Sequence, residues 1–77
     1  MAQTDELKTY VVFGLKEDGE SGEVLGVIDS HHINKAIEEA QANIDKKSYE
    51  RIKVIHHNRV NGNERELFNQ WKEKNKN

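Results

Sequence analysis

The chain has 77 residues, no cysteine and a formal net charge of −2 at pH 7. That length makes one small domain, residues 1–77, and the missing cysteines rule out disulfides and thiolate metal sites, which fits a reducing, cytoplasmic setting. The longest apolar run, Tyr10 to Leu15, is far too short for a membrane span or a signal-peptide core, so a soluble chain with no membrane partner is expected.

Residues 1–6 carry no apolar pattern and are expected to be a disordered tail, as are residues 75–77. The stretch TYVVFGLK, Thr9 to Lys16, is β-branched and aromatic on both alternating faces, the mark of a central strand covered on both sides. EDGESG, Glu17 to Gly22, is a turn, and EVLGVID, Glu23 to Asp29, is a second strand, so the two form a hairpin. Simple alternation puts Val11, Phe13, Leu15, Leu25 and Val27 on one face and Tyr10, Val12, Val24 and Ile28 on the other.

Ser30 is placed to cap a helix over residues 30–45, whose apolar stripe is Ile33, Ile37, Ala40 and Ile44 with Ala36 beside it. After a short link, YERIKVIHHNR, Tyr49 to Arg59, reads as a third strand. Asn63 with Glu66 three residues on resembles a capping box, which starts a shorter helix over 64–74 carrying Leu67, Phe68 and Trp71. The order is ββαβα. If the third strand pairs with the first, the result is an α+β fold: a three-stranded antiparallel sheet of order 2-1-3, the long helix on one face. Trp71 is expected in the core of so small a domain rather than at an interface.

Charge is unevenly distributed. Residues 1–45 hold ten acids against three bases, and residues 46–77 hold four acids against nine bases. Two surfaces follow. Glu17, Asp18, Glu20 and Glu23 crowd the hairpin, and with Glu38 and Glu39 of the helix they offer an acidic face to a basic partner. On the third strand Arg51, Lys53 and Arg59 fall on one side with Tyr49 at the row's start. Together with Lys46 and Lys47 they make an alternative nucleic-acid-binding surface. Against the acidic face stands an ordinary solvated turn, and against the basic row an edge strand that uses charge to avoid edge-to-edge pairing. One aromatic is also fewer than nucleic-acid sheets generally stack on.

The paired histidines, His31-His32 and His56-His57, point apart within each pair. A metal site would need one pair to converge on the other, and no His-spacing motif supports that, so no metal is expected. Protonating all four would move the formal charge from −2 to +2. No nucleophile–base signature and no glycine-rich phosphate loop is present, so neither catalytic residues nor cofactors are expected. The sequence therefore predicts a small non-enzymatic protein-binding module, an inhibitor or modulator that sets its acidic face on a basic surface of a larger protein, in its sharpest form a DNA mimic. Direct nucleic-acid binding is the alternative, and self-association is a third option. In size and lack of catalytic chemistry the chain resembles small phage-encoded accessory proteins, a likeness of kind with no motif behind it.

Overall fold

The computed structural model describes residues 6–75; of the expected tails, residues 1–5 and 76–77 lie outside the described residues, while Glu6 and Asn75 lie within them. Strands β1 (Lys8–Leu15) and β2 (Ser21–Ser30) are followed by helix α1 (Ile33–Asn43), strand β3 (Arg51–His56), a 3-10 turn over His57–Arg59 and helix α2 (Gly62–Lys74). The sheet is antiparallel in the order β2-β1-β3, an α+β fold of the kind read from the sequence.

β1 lies in the middle because it alone is apolar on both sides. Tyr10, Val11, Val12 and Phe13 are all buried in succession, Val11, Val12 and Phe13 with no exposed area. Each such side chain contributes about 1.5–3 kcal/mol when withdrawn from water. Tyr10 and Val12 join Ile28, Ala36 and Ala40 under α1, with Leu25, Ile44, Ile52 and Val54 around them. Val11 and Phe13 join Val24 and Val60 on the opposite face, closed by Ile55, Leu67, Phe68 and Trp71. Trp71 is thus half-buried against this core, its ring stacked 6.3 Å from Phe68.

Two contacts draw the α1 layer close to the sheet. A methyl group at Gly14 would lie 2.4 Å from the Tyr49 ring, and one at Gly26 would lie 2.5 Å from Ile44 Cδ1. Only glycine leaves room for a ring or a branched chain to settle on the strand backbone there.

Several local expectations change. Phe13 pairs with Val24 although Val12 pairs with Gly26, so β2 carries an extra residue there, Leu25, and Gly22 is a second one nearer the turn. The bulge at Leu25 reverses the alternation before it, moving Val24 to the α2 face and Leu25 to the α1 face, opposite to simple alternation. α1 starts at Ile33, not Ser30. Ser30 instead ends β2 opposite Lys8, and its buried hydroxyl donates to the His32 carbonyl at 3.2 Å. The cap position falls to His32, whose side chain makes no capping bond. The helix also stops two residues early, at Asn43, and its buried line is Ala36 and Ala40, with Ile33 40% exposed. α2 starts two residues earlier than expected. Its capping box is Asn61 with Glu64: Asn61 Oδ1 accepts from Glu64 N at 2.8 Å, and Glu64 Oε1 accepts from Asn61 N at 3.2 Å.

Candidate functional site

The acidic residues divide into three groups. Glu17, Asp18 and Glu20 stand exposed in the tight β1–β2 turn, which closes with Lys16 N donating to the Glu20 carbonyl at 2.8 Å. Gly19 takes a positive φ of 89°, the conformation that glycine permits at a turn apex, and Asp18 Oδ1 accepts from Glu20 N at 2.9 Å. Among the described residues none of these three carboxylates is in an ion pair.

Glu23 is engaged elsewhere. It accepts from Lys47 Nζ at 3.0 Å and from the Tyr49 hydroxyl at 3.1 Å. The Lys47 bond, opposed by partial burial and helped by Tyr49, holds its carboxyl below the usual glutamate value. Glu38 and Glu39 are exposed on α1. Glu39 lines a shallow hollow with Leu7, Asp29, Ser30, His31, His32 and Lys35, beside the last residues of β2. The hairpin turn enters β2 at its other end, roughly 30 Å away at the rise of an extended strand. Six acids expected on one face therefore resolve into an exposed tip, a paired residue and a helix surface.

The basic residues do not form a row. β3 ends at His56, so Arg59 lies in the 3-10 turn and not on the strand. Tyr49 precedes the strand and covers Gly14, which shares the α1 side of the sheet with Ile52. Lys53 lies on the other side, opposite Phe13, and its Nζ donates to Glu64 Oε2 at 2.7 Å. Ile55, between Lys53 and Arg59 in the expected row, is packed into the α2 core. Lys47 is held by Glu23, and Lys46 Nζ donates to the Glu50 carbonyl at 3.2 Å. Of the five bases Lys46, Arg51 and Arg59 are exposed and in no ion pair among the described residues.

Glu64 is the residue that sequence reasoning passed over. Its carboxylate is almost fully buried, yet it gathers Lys53, Ser21 Oγ at 2.8 Å and the Asn61 N–H, linking β3, β2 and the start of α2. Burial pushes its pKa up, but the hydrogen bonds from Lys53, Ser21 and Asn61 outweigh it and hold the group below the ordinary glutamate value. The available signal was the Asn-x-x-Glu spacing two residues upstream of the box chosen from sequence.

The four histidines share one end of the molecule. His56 pairs with Tyr10 at the start of β1, and His31 and His32 follow Ser30, which pairs with Lys8. His56 and His57 ring centres are 4.9 Å apart. Among the described residues no three His, Asp or Glu side chains are grouped to hold a metal ion, and no helix is long and apolar enough to cross a membrane. Compared with known proteins, the chain matches no family model, no curated protein and no solved structure.

Proposed function

We propose that the chain is a small non-enzymatic binding module of the cytoplasm, an inhibitor or modulator that sets its acidic hairpin tip against a basic surface of a larger protein. The contact residues are Glu17, Asp18 and Glu20, with Glu38 and Glu39 as a separate, secondary surface and Glu23 as a structural support behind the tip. The observation behind this reading is the pairing pattern. Glu23 has a local cation, whereas the three tip carboxylates are exposed with no ion pair among the described residues. Unpaired charge at a protruding turn steers association with an oppositely charged surface and can imitate the repeated negative charge of nucleic acid, as a phage-type accessory inhibitor would.

The test is capture from lysate at low salt by the wild type and by a Glu17→Lys/Asp18→Lys/Glu20→Lys variant. A basic, nucleic-acid-binding protein retained by the first and released by the second, and lost as salt rises, is the expected result. Equal retention by both removes the tip from the account. Direct binding to labelled DNA or RNA that weakens on Arg51→Glu would instead support the reading based on Lys46, Lys47, Arg51, Lys53 and Arg59.

A further inference from the structure

At the end of the sheet opposite the acidic tip, a concavity of about 720 Å³ is lined by Lys8, Tyr10, Ile33, Val54, Ile55, His56, Asn58 and Arg59. Its composition is one-sided. Two permanent cations and an imidazole share the lining with apolar side chains, and no carboxylate lines it among the described residues. Lys8 comes from β1, His56 from β3 and Arg59 from the turn, while α1 brings only Ile33, one of two large apolar side chains exposed among the described residues. A charged cluster meant only for solubility needs neither a hollow nor an apolar wall. We propose that this concavity binds a phosphate monoester carried on an apolar body.

The chemistry of each group fits that ligand. Arg59 offers the planar fork that meets two phosphate oxygens at once, and Lys8 offers a compact ammonium. His56 Nδ1 accepts from the Asn58 backbone N–H at 3.3 Å, which fixes the neutral tautomer with its proton on Nε2 and leaves that nitrogen as a donor. Ile33 with Val54 supplies surface for the apolar body, and Tyr10, buried behind them, meets the His56 ring edge-on at 5.6 Å. The positive charges of Lys8 and Arg59 repel one another and disfavour a charged His56. Desolvation first, and then His57, Lys8 and Arg59, hold His56 below the usual histidine value. A bound phosphate relieves that repulsion and raises the His56 pKa. The monoester's own second ionisation lies at about pH 6, so acidification also removes ligand charge and opposes the gain.

Amide and histidine NMR titrations of the full chain with phenyl phosphate, inorganic phosphate and benzyl alcohol test the proposal. Phenyl phosphate is expected to saturate with shifts at Lys8, Tyr10 and His56 to Arg59, more tightly than either fragment. It should raise the His56 pKa and leave those of His31 and His32 unmoved. Arg59→Ala and Lys8→Ala should each weaken binding about tenfold, the loss of one charge-assisted contact, while Lys35→Ala has no effect. Vesicles containing phosphatidic acid separate the ligand's sources: co-sedimentation places the monoester on a lipid, and phenyl phosphate binding without it places the monoester on a soluble molecule. Shifts spread evenly over surface lysines, or wild-type affinity in both Arg59→Ala and Lys8→Ala, would overturn the proposal. The hairpin variant should bind phenyl phosphate normally, so this site stands or falls apart from the acidic tip.

Discussion

The two faces of one sheet are closed by different means. Under α1 the seal is made of small and aliphatic side chains, with Ala36 and Ala40 against Tyr10, Val12 and Ile28. Under α2 it is made of aromatics and a buried carboxylate, Phe13 and Trp71 beside Glu64. The first face is held by close approach, the second by bulk plus an ionic tether. In a domain this small neither helix alone covers enough apolar area, and total stability is on the order of 3–5 kcal/mol.

Substitutions can break that contrast. Phe13→Ala, at the centre of the α2 face, should cost about 3–5 kcal/mol and leave the chain largely unfolded at room temperature, as circular dichroism would show. Glu64→Ala should cost about 2–4 kcal/mol in urea titration, because it removes the partner of Lys53 and Ser21 and half of the capping box. The pH dependence sharpens the point. Because the folded Glu64 pKa is depressed, the unfolded chain binds the proton more readily. Its contribution is therefore present above the ordinary glutamate value and is lost as pH falls through the lower folded value. Glu64→Gln should flatten this part of the acid limb of a stability–pH curve. On the α1 face, Gly14→Ala should cost about 1–3 kcal/mol by displacing the Tyr49 ring, with a change in near-ultraviolet dichroism. Smallest of all, Lys47→Gly should leave the urea-unfolding midpoint close to that of the wild type. It loses an exposed ion pair to Glu23 but relieves a left-handed φ of 57°.

The topology was legible because its signals are local and strong: an apolar strand with no wet face, a glycine-rich turn, and a helical stripe of the right length to return the chain. The Glu23–Lys47 pair joins the acidic part of the chain to the basic part, which a division of charge by sequence position does not show. What stayed hidden depends on tertiary geometry. The extra residue at Leu25 depends on pairing with β1, and no composition rule marks it. The end of β3 at His56 is set by the turn that aims Val60 into the core, although the Tyr49–Arg59 segment keeps strand-like residues beyond it. Glu64 looks like any surface acid until Ser21 and Lys53 close around it. Likewise the acids of the hairpin and helix can be read off the sequence, but their division into an unpaired tip and a Glu23 held by a cation needed the position of Lys47.

The central place of β1 has a consequence for synthesis. Its partner across one edge, Lys53 opposite Phe13, lies forty positions later in the chain. On a ribosome the hairpin is complete early, but the other edge of β1 and the greasy side awaiting Trp71 stay bare until nearly the whole polypeptide has emerged. A nascent chain of this kind has a long interval in which a chaperone or a neighbouring copy can reach that edge first.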